Sequence, residues 1–347
     1  MGNTVLVTGA NGHLGFNLAK ALRQRGHEVR CSVRDAHDEA KTAHLRRAGL
    51  SDLVSLDVTD GRQFVDVSAG IDTLFHVAAT YKYWTPDEAS VRQMIRDSVD
   101  GAANAVRAAS ANKIRRLVLT SSVVTLPLAG SPRERVDESQ WRADLRTPYF
   151  RAKTEAEKGA WELSRQLGVD MVAILPAAVI GPGFQRHTTS TQTIENIMLG
   201  AFRMGAPNTN FPAVDIRDVV DGHILAAERG GTGRYIICND DMVTFKEMIA
   251  IMRAIDGRVP RSWGTLPDAM LTFGPFFDWL NAKTLGTHRL FSGEFLSAVK
   301  GQWWVYSNAR AKRELGWQQR ISLQQSLADT ITAIRGLGAS KTGAAAG

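Results

Sequence analysis

Hydrophobic positions in the first half of the chain fall into short unbroken blocks, and the blocks alternate with stretches that carry an apolar residue every three to four positions. The first block, Thr4-Val5-Leu6-Val7-Thr8, runs into glycines at 9, 12 and 15, after which Phe16 to Leu22 begins a helical period. Further blocks follow at Val29–Val33, Leu53–Leu56, Ile71–Ala79, Ile114–Thr120 and Val169–Leu175, with a long alanine-rich helix predicted over Asp87–Ser110. Strands alternating with helices at this spacing predict parallel β-α-β units with right-handed crossovers, hence an α/β, doubly wound parallel sheet. From about residue 184 the alternation dissolves into less periodic segments with Trp, Phe and Pro. Two pieces return to it: Ala213–Glu228, with Asp218 entering a helix, and Gly233–Cys238 as a strand. The expected organisation is a large unit over 1–183, a smaller C-terminal lobe over 184–338 to which 213–238 is an exception, and a disordered tail over 339–347.

The first strand and its glycines suggest chemistry. Gly9 permits a sharp turn, Gly12 lets backbone approach a pyrophosphate without a Cβ, and Gly15 allows close helix packing. The helix start adds unpaired N–H groups and roughly half a positive charge. The pattern fits a dinucleotide, against the alternative of a plain connector. At the end of the second block, Arg34 precedes Asp35; an arginine there can hold a 2′-phosphate, which favours NADP over NAD. Lys41, on the next helix, either adds charge to that site or is an ordinary surface lysine. Asp57, with apolar Val58 beside it, could accept from the adenine amine while Val58 covers the ring; Asp60 instead reads as a helix cap. Val77, Ala78 and Ala79 are small enough for a cofactor to approach, whereas His76, a lone histidine inside an apolar strand, reads as packed more readily than as a base. Tyr149 and Lys153 stand four residues apart, on one face of a predicted helix.

Composition narrows the classes. The 347 residues are 44% hydrophobic and 22% charged, as in an ordinary water-facing globular protein. A net charge of +7 suits an anionic ligand such as a nucleotide, a phosphate or a CoA thioester, but no basic run interleaved with aromatics points to nucleic acid. Cys31 and Cys238 stand in no redox or metal spacing, and Asp35, His37, Asp38 and His44 form no committed metal set, so no metal is expected. The longest apolar stretch, around Val169 to Ile180, is too short for a membrane span and holds Pro176. With the first strand starting at Thr4, no export signal is expected and a cytoplasmic location is the default.

Taken together, Thr8-Gly9-Ala10-Asn11-Gly12-His13-Leu14-Gly15, Asp57-Val58, His76-Val77-Ala78-Ala79, Thr120-Ser121-Ser122, Tyr149 with Lys153, and Pro176 to Gly183 resemble the extended short-chain dehydrogenase/reductase superfamily. Ser307 to Trp317 looks like its closing segment, so nearly the whole chain is covered. Val33-Arg34-Asp35 and Tyr149-Phe150-Arg151-Ala152-Lys153 look like the dihydroflavonol reductase group, which includes cinnamoyl-CoA reductases. Phe75 to Asp87 is similar to bacterial members described as hopanoid-associated sugar epimerases.

The resemblance implies a Rossmann-type fold with a smaller substrate lobe and a site at the carboxyl ends of the strands. It implies that Asn11, His13 and Leu14 join the three glycines around the cofactor and that Thr120 lies beside it. Pro176 and Val179 would pack on the nicotinamide, and Tyr81, Tyr83 and Trp84 would line the substrate pocket. Tyr149 becomes the proton-exchanging group: its phenol, near pKa 10 when free, is brought down by the Lys153 ammonium and the nicotinamide charge. Lys153 would also orient the nicotinamide ribose. Ser122 would hold the reacting oxygen, with Ser121 as the alternative, one register away. One departure stands out: Ser98-Val99-Asp100-Gly101-Ala102 replaces the family's Asn-Val-x-Gly-Thr. The activity implied is NADP-dependent hydride transfer between nicotinamide and a carbonyl or secondary alcohol in a small molecule. The alternatives are a nucleotide-sugar epimerase or dehydratase that retains NAD and, in another class, an NADP sensor without chemistry. The family often dimerises through a pair of helices, so a homodimer is an expectation as well.

Overall fold

The structure, a computed structural model, describes residues 3–79, 87–290 and 292–344. In chain order its elements are β1 (Thr4–Thr8), α1 (His13–Gln24), β2 (Glu28–Val33), α2 (Glu39–Arg47), β3 (Leu53–Ser55), α3 (Gly61–Val67), β4 (Thr73–His76), α4 (Glu88–Ala111) and β5 (Arg116–Thr120). There follow α5 (Pro148–Leu167), β6 (Met171–Pro176), β7 (Ala178–Ile180), α6 (Thr189–Met198), β8 (Ala213–Asp215), α7 (Ile216–Arg229), β9 (Gly233–Ile237), α8 (Phe245–Ile255), α9 (Gly274–Leu285), α10 (Gly293–Val299) and α11 (Leu323–Ala344).

Seven strands form one parallel sheet in the order β3-β2-β1-β4-β5-β6-β9. The order reverses between β1 and β4, and that switch point opens a crevice at the carboxyl ends of the strands. Alternate side chains of the central strands go to opposite faces. Val5, Val7, Phe75 and Val118 join the core that holds Leu18 and Leu22 of α1 and Val219 and Val220 of α7. Leu6, Leu74, Leu117 and Leu119 join the other, with Phe64 of α3 and Ala102, Ala105 and Val106 of α4. Alanines let α4 lie close against the sheet and against α5.

Short polar residues start the helices where the sequence places them. Asp38, Asp60 and Asp87 cap α2, α3 and α4, accepting from the N–H groups of Lys41, Gln63 and Ser90 at 3.2, 3.0 and 2.7 Å. Pro148 opens α5, and Gly168 ends it with φ of 65°.

The second half is built from distant partners. Strands β7 and β8 make a two-stranded parallel sheet. A third core gathers Ile194 and Ile197 of α6, Met248 and Met252 of α8, and Leu327 and Ile331 of α11. Strand β9 forms the far edge of the seven-stranded sheet, so a segment from the second half completes the large unit. Helix α11 runs on through 339–344, within the stretch where a disordered tail is expected. A helix whose preceding turns are packed against the lobe adds residues without a new nucleation step, and alanine favours the extension. Tyr81, Tyr83 and Trp84 lie outside the described residues.

Candidate active site

At the crevice, Gly9 turns out of β1 with φ of 67°, and a Cβ there would stand 2.9 Å from the Ala78 Cα. A Cβ on Gly15 would reach the Gly9 carbonyl oxygen at 2.3 Å, so this glycine is required by packing. Gly12 differs. A Cβ there would meet only the Gly9 oxygen, at 3.2 Å, and Gly12 caps α1 with no side-chain hydrogen bond. The first intrahelical bond of α1 comes from Phe16 N–H to the Gly12 carbonyl, which leaves the first-turn N–H groups turned to the crevice. An open Cβ position over unpaired N–H groups fits a dinucleotide's phosphates.

The loop is clamped from behind. His13 is buried with Nε2 2.9 Å from the Pro182 carbonyl oxygen, and Asn17 donates to the carbonyls of His13 and Gly183 at 2.8 and 3.4 Å. Burial pushes the His13 imidazole down to about 4, so it is neutral and donates its proton to Pro182. Asn11 and Leu14 are half-buried in the same loop. Thr8 ties β1 to β4: its hydroxyl oxygen accepts from the N–H groups of Val77 and Ala78, both at 3.0 Å, and lies 3.1 Å from His76 Nδ1. With both acceptor positions of Thr8 used, its own proton goes to His76 Nδ1 and the histidine carries its hydrogen on Nε2. Burial first, then the Lys153 charge, lower the His76 pKa to about 3, which makes it a packing group too weakly basic for proton exchange near neutrality.

Arg34 and Asp57 stand exposed beyond the ends of β2 and β3. Asp57 accepts from the Thr59 N–H and hydroxyl at 3.0 and 2.8 Å, which hold its carboxyl below the usual range, with the Arg34 charge adding to the effect. Lys41 gives its ammonium to Asp38 at 2.5 Å, within the cap of its own helix. Val58 and Val77 are half-buried nearby.

Tyr149 and Lys153 are both buried on one face of α5, a turn apart. Lys153 Nζ donates to the Thr120 carbonyl at 3.3 Å at the end of β5, and the Thr120 hydroxyl contacts His223 Nε2 at 2.9 Å. Burial brings the Lys153 pKa down to about 8, opposed by the Glu157 carboxylate. A small cavity beside the ammonium is lined by Ala78, Ala79, Ser98, Thr120, Lys153 and Glu157. Ser98, the departure from the family pattern, therefore lies beside Lys153, but its hydroxyl donates to the Met94 carbonyl at 2.7 Å in its own helix.

The two adjacent serines have different surroundings. Ser121 is buried and gives its proton to Glu157 Oε2 at 2.5 Å. Ser122 is half-buried, and its hydroxyl oxygen accepts from Val124 N–H at 3.3 Å. Pro176 and Val179 follow at the end of β6 and in β7.

Behind Lys153 lies a buried polar network that motif reading passed over. Glu157 pairs with Arg234 of β9 at 2.7 Å and also accepts from Trp161 at 3.2 Å. Arg234 donates to the carbonyls of Glu138 and Gln140 and to the Thr125 hydroxyl, and its guanidinium lies 3.7 Å over the Trp141 ring. A signal was present: an arginine inside the apolar run Gly233–Cys238, and an acid four residues beyond Lys153. Among the described residues no group of three His, Cys, Asp or Glu is placed to hold a metal ion. Cys31 and Cys238 are buried free thiols pushed up to about 12 by burial. No helix of the described residues is long and apolar enough to cross a membrane.

A glycine loop over a sheet switch point, with a buried Tyr-x-x-x-Lys helix facing it, defines a nicotinamide-dinucleotide oxidoreductase of the Rossmann type. The sequence profile of the NAD dependent epimerase/dehydratase family matches residues 5–238, and the chain belongs to that family, among the extended short-chain dehydrogenases/reductases. It is 32% identical over 270 residues to cinnamoyl-CoA reductase CAD2 of Medicago truncatula, covering 74% of this chain and 81% of that one. It is 30% identical to tetraketide alpha-pyrone reductase 1 of Arabidopsis thaliana, covering 72% and 80%. The crystal structure of gox2253 superposes with a TM-score of 0.81 at 27% identity, covering 97% of this chain and 99% of that one. The chain is accordingly an NAD(P)-dependent oxidoreductase acting on CH–OH and C=O groups.

Proposed function

We propose that the protein is an NADP-dependent reductase of a small-molecule ketone, aldehyde or thioester carbonyl. The observation that carries this reading is the buried Tyr149 and Lys153 pair at the sheet switch point, with Lys153 anchored on the Thr120 carbonyl. The reductase names of the relatives support it.

When bound, the nicotinamide supplies a hydride to the carbonyl carbon. Gly9, Gly12, Gly15, Asn11, His13 and Leu14 hold the phosphates, and Arg34 takes the 2′-phosphate. Asp57 and Val58 meet the adenine; Val77, Ala78, Ala79, Thr120, Pro176 and Val179 wall the nicotinamide side. Ser122 donates to the reacting oxygen, because Ser121 spends its proton on Glu157. As the carbonyl π pair moves onto oxygen, Tyr149 passes its hydroxyl proton to that oxygen, which completes the alcohol from a ketone or aldehyde; from a thioester the same step gives a thiohemiacetal, whose C–S bond breaks as the carbonyl re-forms and the hydroxyl proton leaves with the thiol, releasing an aldehyde. Lys153 places a positive charge beside the phenol, favours its phenolate and so eases the transfer.

Denaturing the purified protein and identifying any released nucleotide tests the cofactor assignment. NADP, or an empty protein that oxidises NADPH when a carbonyl is added, is expected. Stoichiometric retained NAD with no dependence on an added carbonyl would favour the epimerase chemistry instead.

A further inference from the structure

Helix α9 is inside out for a helix on a water-facing surface. Its acidic residue, Asp278, is buried, accepting from Arg289 Nε at 3.2 Å and from the Leu290 N–H at 3.3 Å. Its aromatic residues face outward. Phe273, Phe276 and Phe277 follow the three-to-four-residue spacing of one helix face and are 60%, 55% and 41% exposed, with Trp279 beside them at 44%. Three of the rings form one cluster, with Phe276 5.6 Å from Phe277 and 6.0 Å from Trp279 between centroids. Hydrogen bonds tie further exposed apolar residues to the same side of the lobe: Asn281 of α9 donates to the Ala201 carbonyl at 3.2 Å, and Trp263 N–H donates to the Arg203 carbonyl at 3.0 Å. In those loops Met204 is 70% and Trp263 77% exposed. An apolar surface this concentrated marks a contact with something other than water.

The charges around it select the contact. Across 199–206, 257–266 and 268–285 the charged residues are Arg203, Arg258, Arg261, Asp268, Asp278 and Lys283. Asp278 is buried and Asp268 half-buried, whereas all four basic side chains are exposed. Arg258 does pair with Asp256, but that carboxylate is shared with Arg335. On α10 and at its C-terminal cap the exposed Glu294 and Lys300 offset one another.

We infer that the α9 face and its flanking loops seat the protein on an anionic lipid bilayer, with the aromatic rings at the boundary of headgroups and acyl chains and the four cations among the lipid phosphates. Exposed aromatic rings at the headgroup boundary and cations among the lipid phosphates each add to the hold of a surface on an anionic bilayer. A second copy of the chain is a poorer occupant. A two-fold contact through this face sets the four cations of one copy, Arg203, Arg258, Arg261 and Lys283, opposite the same four of the other, with no exposed acid in the patch to pair them. None of these residues belongs to the nucleotide site, so the inference stands apart from the proposed reaction.

The test is co-sedimentation of the full chain with vesicles of phosphatidylcholine alone and of phosphatidylcholine with phosphatidylglycerol, at low and high salt. Two variants accompany it, Phe276→Ser/Phe277→Ser and Arg258→Glu/Arg261→Glu, each checked for an unchanged thermal transition. Binding to the anionic vesicles, weakened by salt and reduced at least about tenfold in each variant, is expected. The inference is overturned by failure to sediment with anionic vesicles, by equal binding to phosphatidylcholine alone, or by variants that bind like the parent. A parent dimer that the substitutions dissolve, with protein left in the vesicle supernatant, also overturns it.

Discussion

Ser121 and Ser122 are adjacent in sequence but differ in their hydrogen-bond partners, and substitution should separate them. Ser121→Ala leaves the buried Glu157 carboxylate one donor short and should cost about 1–3 kcal/mol of stability, read as a lower thermal midpoint. Ser122→Ala gives up the long 3.3 Å bond from Val124 N–H, so stability should fall by no more than about 1 kcal/mol, while loss of the proposed donor to the reacting oxygen should reduce kcat by about a hundredfold. Lys153 gives the pH dependence. Its folded pKa of about 8 lies below the 10.5 of a free lysine, so the folded protein disfavours the charged form. The resulting cost is present in full below pH 8 and falls away as pH rises through 8 toward 10.5. A depression of this size corresponds to about 3 kcal/mol. Lys153→Met should therefore raise the thermal midpoint near pH 7, by an amount that shrinks toward pH 10.5, while removing turnover. In the unaltered protein, carbonyl reduction should decline above about pH 8 as the ammonium is lost.

Among the elements, the β1 to α1 turn gives a contrast between two glycines that a motif treats alike. Gly15→Ala drives a Cβ to 2.3 Å from the Gly9 oxygen and should destabilise the fold by about 1–3 kcal/mol. Gly12→Ala meets only one atom at 3.2 Å and should leave the thermal midpoint close to that of the parent while weakening nucleotide binding at least about tenfold, measured by calorimetry. This first part of the chain was legible because its signals are local: an apolar run, a glycine, a capping aspartate, each acting within a few residues. Ser121 against Ser122 was left open because the deciding contact, Glu157, is 36 residues away.

For the molecule as a whole, the C-terminal lobe was the least legible part. Its contacts join positions far apart: β7 with β8, Ala129 with Trp303 and Val136 with Tyr306. Trp317 is fully buried and donates to the Asp218 carbonyl at 2.8 Å, so the closing segment locks onto α7 from 99 residues away. No local period encodes such pairings. The outward aromatic face of α9 was also hidden, since Phe, Trp and Leu in a helix read as core until their exposure is seen. The proposed reaction turns on Tyr149 as the proton donor in the crevice at the carboxyl ends of the strands. The most direct test is NADPH oxidation across a panel of ketones, aldehydes and thioesters by the parent and by Tyr149→Phe, with NADPH affinity measured on both. The account predicts carbonyl-dependent oxidation in the parent, reduced at least about a hundredfold in the variant, with affinity within about threefold. A variant that turns over like the parent would contradict it.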